Sequence, residues 1–356
     1  MRKSSPYSRA YTAVKNGIGL VESARQNPDL ASWYLSKNIK QPLAEVHGNY
    51  VVRNYPQQKE KIQQLQTEEQ SWLLIVLDAC RYDRFSAVFD EYFDGEVEPV
   101  VASGLDTFNY VREIWPKEYD YPYITAAAPI NNTEFKFDSN DTAKAQGVAA
   151  TGDRLKQKYD GYVPADHLNQ IIEVWRTEWD EEIGVCPPEP VTEEALSIFR
   201  AKQPSRSVVH YFQPHAPYIG QVKELDKREA LDSRLKGGAL AADIWERAKT
   251  GNISRSELLD LYDANIVRAL DSVARLVKKS NFDRTVIIGD HGEALGEYSR
   301  FGHGFEHPYV RLVPWAEIDG IKHKKAIPNK EDSMINEPSS KDSTVVDRLQ
   351  ELGYLD

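Results

Sequence analysis

Cysteine is scarce in this 356-residue chain: Cys80 and Cys186 stand far apart and form neither a disulfide framework nor a thiolate zinc pattern. A reducing compartment is the default that follows. Long apolar runs are missing too. No stretch approaches the roughly 18 residues of a membrane-spanning helix. Near the start only Gly17 to Val21 is continuously apolar, too short for a secretory h-region. The expectation is a cytoplasmic protein, and the Asn-x-Ser/Thr triplets at Asn131, Asn140 and Asn252 would matter only after export. Basic excess is also lacking. The formal charge of -11 argues against a general nucleic-acid binder, because phosphate backbones reward clustered Lys and Arg. An acidic chain acting on an anionic substrate needs a local cation, and a bound divalent metal is the simplest source.

What is present reads as one α/β catalytic domain with additions at both ends. Residues 1–68 are polar and helical in pattern, with amphipathic pieces at Val14 to Arg25 and Leu30 to Lys37. They form an accessory segment, read as helices packed outside the main domain. The alternative is attachment to a membrane surface or partner through Arg2, Lys3 and Arg9. The catalytic domain is drawn over 69–321, with insertions at about 111–205 and 221–255. Residues 322–356 read as a charged linker and a short helix at Ser343 to Leu352.

Trp72 to Leu77 is a continuous apolar run entering Asp78, the signature of a strand buried on both faces of a largely parallel sheet. Thr285 to Gly289 is a second such run, and it enters Asp290-His291-Gly292-Glu293. Ligands of open α/β sheets bind beyond the carboxyl ends of strands, so both acidic positions fall where chemistry is expected. A short strand is predicted at Val100 to Ala102, followed by the turn Ser103-Gly104 and a hydroxyl at Thr107 that could open a helix. Ser207 to Phe212 reads as a strand running into Pro214-His215-Ala216-Pro217. Helices are predicted at Ala165 to Glu178, Thr192 to Lys202 and Ser256 to Val277, and a helical insertion at Gln221 to Lys249. Taken singly, these residues have plainer readings: Asp78 and Thr107 as helix caps, the histidines as loop-ordering groups.

Together, the residues resemble the alkaline-phosphatase and sulfatase superfamily. Leu77-Asp78-Ala79-Cys80-Arg81-Tyr82-Asp83 is similar to the first metal motif of sulfatase-like proteins. Ile288-Gly289-Asp290-His291-Gly292-Glu293-Ala294-Leu295-Gly296-Glu297 is similar to their second. Tyr262-Asp263-Ala264-Asn265-Ile266 with Asp271 resembles the helix before that motif. Gly302-His303-Gly304, Arg311-Leu312-Val313-Pro314 and the ending Leu349-Gln350-Glu351-Leu352-Gly353-Tyr354 resemble family segments downstream.

The resemblance implies a three-layer α/β fold with a central, mostly parallel sheet flanked by helices. It implies one divalent ion (manganese, zinc or magnesium rather than calcium) held by Asp78, Asp290, His291 and Thr107. Thr107 would be the nucleophile, since Asp106-Thr107-Phe108-Asn109-Tyr110 resembles the threonine motif of nucleotide pyrophosphatases without its usual proline. Ser103 is the alternative. His215 and His303 fall on substrate-contacting positions. The activity implied is hydrolysis or transfer of a phosphate mono- or diester, with an anionic, glycan- or lipid-linked partner.

Two departures refine this. No Cys-x-Pro-x-Arg signature for formylglycine exists: Cys80 and Arg84 have the spacing, but Tyr82 replaces the proline. No Asp-x-x-x-His cluster precedes the last motif, which favours a one-metal site resembling that of lipoteichoic acid synthases. A sulfuric-ester hydrolase without formylglycine and an inactive binding protein for an anionic glycan or lipid head group remain the competing readings.

Overall fold

The computed structural model describes residues 35–131, 162–180, 183–220 and 240–322. The expected pieces at Val14 to Arg25 and Ser343 to Leu352, and most of Leu30 to Lys37, lie outside these residues.

The chain builds a seven-stranded sheet in the order β2-β9-β6-β1-β5-β3-β4. Its strands are β1 (Trp72–Asp78), β2 (Phe93–Val101), β3 (Tyr119–Thr125), β4 (Leu168–Glu173), β5 (Arg206–Pro214), β6 (Arg284–Gly289) and β9 (Leu312–Ile321). A two-stranded ribbon of β7 (Ala294–Leu295) and β8 (Phe301–Gly302) stands apart. Strand β1 is central, pairing in parallel with β5 and β6, while β9 runs antiparallel to both of its neighbours. Every residue of β1 is buried. Period-two alternation sends Leu73, Ile75 and Leu77 into one apolar cluster and Trp72, Leu74 and Val76 into another on the opposite face.

Helices cover both faces, which gives the three layers. On the Leu73 side lie α3 (Tyr82–Phe89), α5 (Pro188–Lys202) and the 25-residue α7 (Arg255–Lys279), whose capping box at Ser254 and Glu257 fixes its start. On the Trp72 side lie α2 (Gln58–Thr67) and α4 (Thr107–Ile114). From the N-terminal segment, α1 (Gln41–Asn54) precedes α2, and α2 contributes Ile62 and Leu65 to the core. Among the described residues no helix is long and apolar enough to cross a membrane.

Two predicted elements differ. Ala165 to Glu178 is not a helix: it holds β4 and only one helical turn, Val174–Thr177. Parallel pairing of Ile171 and Ile172 with Tyr123 and Ile124 offers these β-branched side chains a better fit than a helix would. The strand expected at Val100 to Ala102 begins earlier, at Phe93. Asp94, Glu96 and Glu98 disguise it, because an edge strand tolerates charge. Pro99 lies inside it facing Pro314, a pairing that suits a position without ladder hydrogen bonds. The C-terminal part of the insertion predicted at Gln221 to Lys249 is helical, as α6 (Leu240–Lys249).

Candidate metal centre and active site

Three neighbouring parallel strands aim their carboxyl ends at one place: β6 delivers Asp290 and His291, β1 delivers Asp78, and β5 delivers His215. The turn after β6 is tight because Gly292 lies against the backbone. A Cβ there would come within 2.0 Å of the Tyr309 carbonyl oxygen, so the chain can pass only as glycine.

Ligand atoms of Asp78, Asp290 and His291 lie within 4.8 Å of one another, and all three residues are buried. His291 Nδ1 donates to the Gly292 carbonyl (2.9 Å), which leaves the Nε2 lone pair facing inward. That nitrogen is 3.4 Å from Asp78 Oδ1 and 3.5 Å from Asp290 Oδ2. Burial, with the neighbouring His303 adding to it, pushes the His291 pKa down to about 3, so its ring is neutral. The His291 lone pair and the two carboxylates therefore converge on one point. Asp78 Oδ1 and His291 Nε2 have no hydrogen-bond partner among the described residues despite their burial, an arrangement that costs free energy until a cation fills it. Burial also raises the Asp78 carboxyl well above its ordinary range, and the charges of Asp290, Glu293 and Asp106 raise it further. The donor set fits a divalent ion.

Thr107 opens α4, with Asp106 capping the helix through the Asn109 amide at 2.9 Å. Its hydroxyl donates to Asp290 Oδ2 at 2.9 Å. Asp290 Oδ1 meanwhile accepts from the amides of Ala79 (3.0 Å) and His291 (2.7 Å), which locks the carboxylate plane. Ser103 is held differently. Its amide bonds to Gln58 at 3.1 Å, and its buried hydroxyl has no partner among the described residues.

His215 and His303 flank the cluster, with ring centroids 5.2 Å apart, and His303 lies 4.3 Å from the His291 ring. Between them stands a residue to which sequence reasoning gave no role. Glu293 is fully buried and accepts from His303 Nδ1 at 3.0 Å. His215, Glu293 and His303 form a second group able to hold a cation. A search for Asp-x-x-x-His could not find it, because its members come from three separate loops. Burial drives His215 down to about 4. Burial opposes the His303 cation too, but the Glu293 hydrogen bond and charge outweigh it and raise that pKa. Arg81 was likewise given no role. Buried, it pairs with Asp83 and with Glu297 (2.8 Å), so it ties the first motif to the second. His210 is a third, buried in the middle of β5, with Nε2 3.8 Å from Asp290 Oδ2.

No family model and no curated protein matches the chain. Solved structures do. The soluble domain of lipooligosaccharide phosphoethanolamine transferase A from Neisseria meningitidis is 13% identical, with a TM-score of 0.37 over 70% of this chain and 78% of that one. A phosphonate monoester hydrolase of Agrobacterium radiobacter is 15% identical, with a TM-score of 0.34 over 70% and 68%. A protein of the alkaline phosphatase superfamily from Vibrio parahaemolyticus is 13% identical, with a TM-score of 0.36 over 71% and 61%. All three are distant likenesses, and the functional reading rests on the side chains described above.

Proposed function

We propose that the protein is a metal-dependent enzyme that hydrolyses or transfers a phosphate mono- or diester through Thr107. The observation that carries this reading is the Thr107 hydroxyl, hydrogen-bonded to Asp290 beside the buried trio Asp78, Asp290 and His291, whose ligand atoms lie within 4.8 Å of one another.

Asp78, Asp290 and His291 would hold the ion, with Thr107 adjoining. Two carboxylates, an imidazole and a hydroxyl suit manganese, zinc or magnesium better than calcium. When bound, the ion supplies positive charge that favours the threonine alkoxide and neutralises the ester oxyanion. The chain's own groups do the rest. Thr107 Oγ1 would form a bond to phosphorus as its proton leaves to water, and the bond to the leaving alcohol would break as that oxygen takes a proton from His303, whose charged form Glu293 favours. Water or an acceptor hydroxyl then takes the phosphoryl group from phospho-Thr107, giving hydrolysis or transfer by the same chemistry. His215 and His303 orient the remaining ester oxygens, and Glu293 fixes which His303 nitrogen faces them.

An anionic ester carried on a glycan or lipid is the proposed substrate class, and the cytoplasm the proposed location. Purified protein assayed on an aryl phosphate, a phosphodiester and an aryl sulfate, with metal analysis of wild type and Asp290→Asn, tests the reading. Phosphate turnover with bound metal in wild type, both lost in Asp290→Asn, supports it. Turnover of sulfate alone, or of nothing at full metal occupancy, overturns it.

A further inference from the structure

Among the described residues of the N-terminal segment, Gln58 reaches into the site. Gln58, the first residue of α2, is fully buried, and its amide spans two loops that meet only at the active site. Its Nε2 donates to the Gly289 carbonyl at 2.6 Å, and its Oε1 accepts from the Ser103 amide at 3.1 Å. Gly289 ends β6, and its carbonyl belongs to the peptide that leads into Asp290. Ser103 begins the turn that leads to Thr107. The neighbouring chain adds to the brace: Val101 N donates to the Pro56 carbonyl at 2.8 Å, and Gln57 bridges to Val101. From the other side the Arg311 carbonyl accepts from Ala102 N at 2.7 Å, so the nucleophile turn is gripped at both edges.

We infer that Gln58 is a positioning residue, holding the Ser103–Thr107 turn at a fixed separation from the Asp290 strand end so that the Thr107 hydroxyl meets Asp290. The inference rests on the reading of Thr107 as nucleophile. A primary amide serves both partners at once, because one backbone group there is a donor and the other an acceptor. A carboxylate would face the Gly289 carbonyl with no proton to give, and a thioether would serve neither. Ordinary helix anchoring does not require such a bridge. Elsewhere α2 is fastened by an ion pair of Lys61 with Glu98 (2.6 Å) and one of Lys59 with Glu113 (3.0 Å).

The test uses full-length Gln58→Met and Gln58→Glu, with Lys61→Ala as the control that loosens α2 without touching the bridge. The thermal midpoint, kcat and KM for bis(4-nitrophenyl) phosphate at saturating manganese, and amide exchange of residues 102–107 in metal-free protein are measured. The expected result for Gln58→Met is a folded protein whose kcat falls by about 10²-fold with KM nearly unchanged, since small misplacements of a reacting group cost that much. Gln58→Glu, which keeps the bond to Ser103, should fall less, and Lys61→Ala should match wild type. Should Gln58→Met fail to fold, Gln58→Glu carries the comparison alone. A folded Gln58 variant with wild-type kcat overturns the inference. A wild type that turns over no ester refutes the Thr107 reading, and the exchange measurement then decides. Faster exchange confined to 102–107 in Gln58→Met supports the brace, and unchanged exchange there overturns it.

Discussion

The Thr107 hydroxyl donates to Asp290 Oδ2 at 2.9 Å across 183 residues of sequence. The bond joins the start of α4 to the end of β6, and the same carboxylate is fixed by two backbone amides on its other oxygen. Removing the hydroxyl leaves the ligand trio whole. Thr107→Ala should therefore still bind metal while turnover drops by at least on the order of 10³-fold, the scale expected when a nucleophile is lost. Ser103→Ala should stay near wild type. Steady-state kinetics on both, beside metal analysis, checks the pair. An inactive Ser103→Ala beside an active Thr107→Ala would move the nucleophile.

Cys80 is buried between Asp78 and the end of β6 at Gly289, and burial raises its thiol pKa well above the ordinary value. A thiol of that kind is an inert, small packing group. Intact-mass analysis should find it unmodified, and Cys80→Ala should keep turnover. An aldehyde mass at Cys80 would bring back the sulfatase reading.

How much of this was legible beforehand follows from where each signal lies. Asp78 and Asp290, with His291 next to it, stand at the ends of apolar runs, and a run of that kind both predicts a buried parallel strand and marks its end. The helix from Arg255 to Lys279 carries its own period and cap. β4 and the front of β2 were illegible because their stability comes from neighbours: Ile171 needs β3, and the acidic face of β2 needs its exposed edge. Glu293 lay inside a quoted motif, yet its role depends on His303, ten residues on. Gln58 gave no local signal at all, since its partners are 45 and 231 residues away.

His210, which lies beside Asp290 without being one of the three proposed ligands, permits a test of pH dependence. Burial lowers its pKa to about 4, with Asp290 opposing and His291 assisting, and Tyr123 hydrogen-bonds its Nδ1 at 3.0 Å. In the unfolded chain a histidine titrates near 6.5. A lowered folded pKa means the native state holds the neutral ring, so this contribution is complete above about 6.5 and is lost as pH falls toward 4. The stability gap between metal-free wild type and His210→Gln should narrow as pH is lowered through that window. Denaturant melts at several pH values measure it. A gap that widened on acidification would contradict the burial argument.

Gly292 gives a structural test that requires no substrate. A methyl group there would meet the Tyr309 carbonyl oxygen at 2.0 Å, a backbone atom that cannot swing away. Gly292→Ala should cost about 3 kcal/mol, the upper end for overpacking, and should weaken metal binding by displacing His291. Gly304→Ala meets nothing within 4 Å, but φ is +80°, so its cost is backbone strain alone and should be smaller. Equal denaturant midpoints for the two variants would contradict the packing argument.

The most direct test of the central claim is anomalous diffraction from a crystal grown with manganese and soaked in vanadate. The account predicts a manganese peak bounded by Asp78, Asp290 and His291, with the vanadium centre facing the Thr107 hydroxyl and its oxygens toward His215 and His303. No manganese peak among those three residues, or vanadate facing Ser103 in place of Thr107, would contradict it.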